Sequence, residues 1–195
     1  MLFRSNSQSG KGGVAYLIKR DHGFDIPQAM RPEVGYMMKG ISDKRAEELS
    51  ADEIFQIFKD EYINYFDPLD ITHATFTHLS TTKSEDANAY GVEMRVVIND
   101  EIYFLKAEGN GRLDAVSNAL RKTNYNFSNY EFITYSEHAI SADSNSMAAA
   151  YICIADRKGN EYWGVGTQAD IILASVNALV SALNRMNKNT HFLSE

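Results

Sequence analysis

Apolar positions in the first third of the chain recur at helical intervals. In LSADEIFQIFKDEYINYF, residues Ile54, Ile57, Phe58 and Ile63 fall near a 3.6-residue period, and Ser50 with Glu53 three places on forms a capping box. A helix is predicted from there to Asp67-Pro68, within a largely helical stretch over residues 30 to 66. Beyond it the period shortens to two. DITHATFTHLST, AYGVEMRVVIND and EIYFLKAEG predict three strands, with Asn99-Asp100 as a tight hairpin turn between the second and third. YEFITYSEHAIS, SMAAAYICIADRKG and NEYWGVG predict three more, with Lys158-Gly159-Asn160 as a turn.

The chain also repeats itself. EGNGRLDAVSNALRK carries a strand end, a Gly-x-Gly turn and a helix, and YWGVGTQADIILASVNALVSALNRM carries the same about 55 residues on. Both helices contain Asn-Ala-Leu, at Asn118 to Leu120 and at Asn177 to Leu179. The expected class is α+β: two βββα units, 68–124 and 129–188, related by pseudo-twofold symmetry. Each sheet is covered by its helix, since neither half alone buries both of its apolar faces. A small, mostly helical subdomain over residues 1–67 precedes the 68–195 domain.

Composition narrows the function. With 195 residues, 44% of them hydrophobic, the chain can bury a core. The net charge of −7 and scattered Lys and Arg leave no footprint for nucleic acid. No apolar run reaches the ~18 residues a membrane helix needs, and the start lacks a signal-peptide core. A cytoplasmic protein with neither nucleic acid nor membrane as partner is expected. The single cysteine, Cys153, sits in AAAYICIA and reads as a buried thiol. Asn126-Phe127-Ser128 is a formal glycosylation acceptor that this compartment makes moot.

Several other stretches carry residues of chemical interest. NSQSGKGGVAY resembles an anion loop, but Lys11 is followed by Gly12 rather than a hydroxyl residue, and GVAYLIKR is rich in apolar and β-forming residues. A glycine-rich turn into a strand or short helix is expected instead. Asp21-His22 reads as a turn pair rather than a general base, because chain neighbours seldom meet that geometry. His73 and His78, at odd separation in one strand, face opposite sides and make no shared metal site. Ser7, Ser9 and Cys153 show no nucleophile activation, so no catalytic residue and no metal ligand is assigned. Glu137-His138 falls at the end of the first strand of the second unit, where a pocket-supporting role and a simple hydrogen-bonded structural one both stay open.

Gly109 and Gly111 precede one helix, Gly164 and Gly166 the other, and both pairs read as turns open to close approach. Helix amides there favour a carboxylate or phosphate, the alternative being glycines that merely turn the chain. Leu113, Phe132, Ala139 and Ala169 add apolar surface, and Asp114, Asp170 and Glu137 add carboxylates. Amides, acids and an apolar lining together describe an amino-acid pocket.

The runs RSNSQSGKGGVAYLIKRDHGFDIP, EGNGRLDAVSNAL, YSEHAISA and YWGVGTQADIILASVNALVSALNR resemble the C-terminal part of the 2-isopropylmalate synthase family, in order and over nearly the whole chain. That resemblance implies a second linker subdomain, holding NSQSGKGG, followed by a regulatory domain that binds leucine and dimerises. The implied effector-binding residues are Gly109, Asn110, Gly111, Leu113, Asp114, Phe132, Tyr135, Glu137, Ala139, Gly164, Gly166, Thr167 and Ala169. The family's barrel, which condenses acetyl-CoA with 2-oxoisovalerate and holds the divalent metal, is absent from these residues. No activity of the chain alone and no cofactor within it are therefore expected; the implied partners are leucine, a second copy and a catalytic barrel. Arg112 stands where many relatives have proline, and Asp114 where some have alanine. Two alternatives stay open: a subunit of a split synthase, and a regulator sensing isoleucine as in citramalate synthases.

Overall fold

A computed structural model describes residues 11–79, 89–123, 129–140 and 146–191. Three helices come first: α1 (Lys11–His22), α2 (Arg31–Arg45) and α3 (Ala51–Tyr62). Of the two outcomes expected after the glycine run, strand or short helix, the helix is found. Val14, Leu17 and Ile18 are spaced to share one face, and all are buried. The Asn6 to Gly10 part of that run, with Ser7 and Ser9, lies outside the described residues. Helix α1 ends at Gly23, whose φ of 77° suits glycine, with its N–H on the Lys19 carbonyl. The capping box of α3 forms as expected: Glu53 N–H donates to Ser50 Oγ and Ser50 N–H to Glu53 Oε2. Ile54, Phe58 and Tyr62 make its buried face.

Helix α3 stops at Tyr62, five residues short of the expected Asp67-Pro68, because β-pairing takes the next residues. Ile63 bridges Val165 in parallel, and Asn64 N–H donates to the Val165 carbonyl. The Asp67-Pro68 bond is cis. The bend is held by Asn184, fully buried, whose amide donates to the carbonyls of Tyr65 and Leu69 and accepts from Leu69 N–H.

The repeat then unfolds as two βββα units. Strands β1 (Leu69–His78), β2 (Tyr90–Ile98) and β3 (Glu101–Gly109) form one antiparallel sheet, followed by α4 (Arg112–Leu120). Strands β4 (Glu131–Ala139), β5 (Ala148–Ala155) and β6 (Glu161–Gln168) form the other, followed by α5 (Ile171–His191). Asn99 and Asp100 both take positive φ, as a tight β2–β3 turn requires. In the β5–β6 turn Gly159 has φ 81°, and Asp156 accepts from the N–H groups of Lys158 and Asn160. These bonds, led by the one to the Asn160 side chain, hold the Asp156 carboxyl below its ordinary range.

Strand β5 is buried at all eight positions. Ala148, Ala150, Ile152 and Ile154 face the core shared with α4, α5 and the first sheet. Ala149, Tyr151 and Cys153, with Trp163 and Val165 of β6, face a second core built with α1, α2 and α3. The second sheet is thus sandwiched between α5 and the helical layer. Residues from both sides of the expected 67/68 boundary contribute to this second core.

Candidate functional site

The candidate residues fall into three groups. The first surrounds the start of α4. Gly109 ends β3 with no room for a side chain, since a β-carbon there would stand 2.6 Å from Asp114 Oδ2. Asp114 accepts from Asn110 N–H at 2.9 Å and from the Asn118 amide. Gly111 is the N-cap residue, extended, with open space where a side chain would be, and no side chain caps the first turn. Leu113 is half-buried against the main core, and Arg112 lies 4.9 Å over the Tyr90 ring.

The second group lines one face of β4. Pairing with β5 aligns Phe132 with Ile154, Tyr135 with Ile152, Glu137 with Ala150 and Ala139 with Ala148, so these four share the α5 side of the sheet. All are exposed, and a bulge at Ile133 re-aims the strand. The Tyr135 hydroxyl donates to Glu137 and lies 3.0 Å from Ser175 Oγ of α5. Ser175 Oγ also donates to the Ile171 carbonyl, so this α5 hydroxyl, absent from the expected site, has two claims on its single proton. Its place in an apolar helix gave no sequence signal.

The third group corrects the expectation. Gly164 and Gly166 are not turn residues before a helix; they lie inside β6, buried, with α5 against them. A β-carbon on Gly164 would be 2.9 Å from Ala182 Cα, and one on Gly166 2.9 Å from the Asn177 carbonyl carbon, with nearer clashes to Ala174 and Ala178. Glycine is needed there for helix–strand contact. Thr167 is tied to Asn64: its N–H donates to Asn64 Oδ1 at 3.0 Å, and the Asn64 amide donates to its hydroxyl at 3.0 Å. Ala169 N–H donates to the Gln168 side chain. Asp170, as N-cap of α5, accepts from Ile172 and Leu173 N–H at 2.7 and 3.1 Å, which fills the amides expected for an anion.

The remaining constellations have structural roles. Asp21 pairs with Arg20, whose hydrogen bond pulls the carboxyl below its ordinary range, while His22 stacks on Phe55 with ring centroids 3.5 Å apart. His138 points away from the Tyr135 face; its Nε2 accepts from Asp25 N–H at 3.1 Å and lies 3.0 Å from the Tyr151 hydroxyl. His73 meets Thr75, and His78 packs on Tyr90 on the opposite face. Burial pushes the Cys153 thiol up to about 12, with Glu161 adding to it. A cleft of about 700 Å³ at the far end of the second sheet is lined by Arg121, Tyr130, Phe132, Asp156, Arg157 and Glu161, and takes in only Phe132 of the candidates. No described helix is long and apolar enough to cross a membrane.

A family model described as the LeuA allosteric (dimerisation) domain matches residues 48–187. Its start takes in α3, ahead of the boundary at 68. The chain is 42% identical over 190 residues to a 2-isopropylmalate synthase of Helicobacter hepaticus, covering 95% of this chain and 33% of that protein. It is 40% identical to a 2-isopropylmalate synthase of Clostridium acetobutylicum, over 94% of this chain and 32% of that one. A third relative, the 2-isopropylmalate synthase of Desulfitobacterium hafniense, is 37% identical over 97% of this chain and 32% of its own length. The chain thus spans about a third of the length of the curated relatives it matches.

Proposed function

The chain belongs to the LeuA allosteric (dimerisation) domain family, and from that premise we propose that it is the leucine-binding, feedback-regulating and dimerising region of a 2-isopropylmalate synthase. The metal-dependent condensation of acetyl-CoA with 2-oxoisovalerate belongs to a catalytic barrel beyond these residues, and no residue of this chain is assigned to it. A cytoplasmic location accompanies that role.

The observation that carries the placement of leucine is the contrast between the two helix starts. The first amides of α5 are taken by Asp170, whereas α4 opens at Gly111 with no side chain over its first turn. We assign the leucine carboxylate to the α4 amides, which no side chain caps, with the Asp114 carboxylate of the same turn engaged by Asn110 N–H. Leu113 lies in the same turn, half-buried against the main core, and we assign the β4 face of Phe132, Tyr135 and Ala139 to the leucine side chain and Glu137 to its ammonium group. Exposed Phe132, Ile133, Tyr135 and Met147 give a second copy an apolar surface to cover.

Titration calorimetry with leucine, isoleucine, valine and alanine tests this. Leucine should bind most tightly, valine more weakly by about 0.8 kcal/mol for the lost methylene, and alanine barely. Glu137→Gln should weaken leucine at least about tenfold, and Asp170→Ala should leave it within about twofold, corresponding to roughly 0.4 kcal/mol. Tighter binding of isoleucine would move the chain to the isoleucine-sensing reading. No heat with any branched-chain amino acid would overturn the assignment.

A further inference from the structure

Arg185, near the C-terminal end of α5, is only 7% exposed. Its Nε reaches Glu61 of α3 at 3.2 Å, its Nη2 meets Glu33 of α2 at 2.9 Å, and its Nη1 donates to the Trp163 carbonyl of β6 at 2.7 Å. The guanidinium lies 4.0 Å over the Tyr62 ring, and the Tyr62 hydroxyl donates to the same Glu33 oxygen at 2.9 Å. One side chain thus gathers α2, α3 and β6 onto α5.

Such a cluster is a poor source of stability, because desolvating the charges offsets their attraction and apolar residues of equal volume pack as well or better. What it supplies is placement. A planar, forked cation meets two carboxylates in few relative positions of the helices that carry them. The other end of α5 meets the candidate effector strand through Ser175 and Tyr135. Ser175 and Arg185 lie about 15 Å apart along one helix. Between them α5 packs backbone against backbone on Gly164 and Gly166 of β6, so its two ends belong to one rigid element.

The Tyr135 hydroxyl stands between Glu137 of its own strand and Ser175 Oγ of α5, 3.0 Å away. An ammonium group on Glu137 would compete for that carboxylate's acceptor strength, favour donation from Tyr135 to Ser175 Oγ and so strengthen the grip of β4 on α5. We propose that Arg185 is the positioning residue through which effector occupancy at β4 is passed along α5 to α2 and α3, an inference that rests on the leucine site proposed above.

The test uses the 195-residue chain, Arg185→Met and Arg185→Lys, with leucine as the probe. Calorimetry reads affinity, and hydrogen exchange reads the amides of α2 and α3 with and without leucine. In the parent, leucine should slow exchange in α2 and α3 by about fivefold or more. Arg185→Met, which keeps the volume, should still bind leucine and still protect β4 and α5, but lose the response in α2 and α3. Arg185→Lys should respond in part. If Arg185→Met does not fold, Glu33→Gln, which leaves the guanidinium its other partners, reads the same two quantities. An α2 and α3 response equal to the parent's in the folded variant, or its absence in a parent that binds leucine, overturns the role of Arg185 and leaves the leucine site standing. A parent that gives no heat with leucine overturns both.

Discussion

Gly166 and Asn177 lie so close across the β6–α5 contact that a β-carbon on the glycine would come within 2.9 Å of the asparagine carbonyl carbon. Gly166→Ala and Gly164→Ala should therefore each cost about 1–3 kcal/mol or more, as overpacking does. Gly166→Asp adds an unpaired buried carboxylate and should fail to fold. Gly111→Ala meets open space at an extended residue and should change stability by less than about 0.5 kcal/mol. Urea unfolding followed by circular dichroism separates them; a stable Gly166→Asp would contradict the packing described.

Replacing Asn184 by alanine strands the Leu69 N–H and the carbonyls of Tyr65 and Leu69 in a buried site. The expected loss is about 2–4 kcal/mol, since each orphaned buried group carries a desolvation cost. The midpoint of urea unfolding should fall with its slope unchanged.

Cys153 sets an alkaline limit. The folded thiol keeps its proton up to about 12, whereas an unfolded cysteine releases it near about 8.5. Between those values the folded chain binds more protons, so stability is complete below about pH 8.5 and falls as pH rises towards 12. Burial also raises Tyr62, Tyr130 and Tyr151, which act with the same sign. The Cys153→Ala variant isolates the thiol: its stability should decline less than the parent's between about pH 8 and 10. The native thiol should also resist a disulfide reagent until the chain unfolds.

Ile133 is 48% exposed in the β4 bulge beside Phe132. Ile133→Glu should shift the chain to monomer in sedimentation velocity while its unfolding midpoint stays near the parent's. A variant that sediments as the parent dimer would move the interface away from β4.

Much of this architecture was legible because its signals are local. The capping box at Ser50, the paired turn residues Asn99 and Asp100, and the alternation in β2 each act over a few residues. The unbroken apolar run of β5 showed that Cys153 is buried, but its cover on both faces emerged only from the packing of α5 and the helical layer. Gly164 and Gly166 misled, because a glycine pair that opens a turn and one that admits a helix look alike in sequence. Asp170 before Ile171 was a readable N-cap and would have shown that α5's amides were taken. Ser175, Asn64 and Arg185 were not readable, since each acquires its role from a partner some 40 to 150 residues distant.

Trp163 and Tyr151 bear on how this regulatory region could be transplanted. Their face of the second sheet is sealed by α1, α2 and α3. A graft cut at the first strand would carry that face bare into its new host, where it would stick to whatever apolar surface it met. The portable unit is the double repeat together with its helical layer. An engineer fusing it to a foreign enzyme should therefore join the chains ahead of α1 and leave the cis Asp67–Pro68 bend inside the cassette.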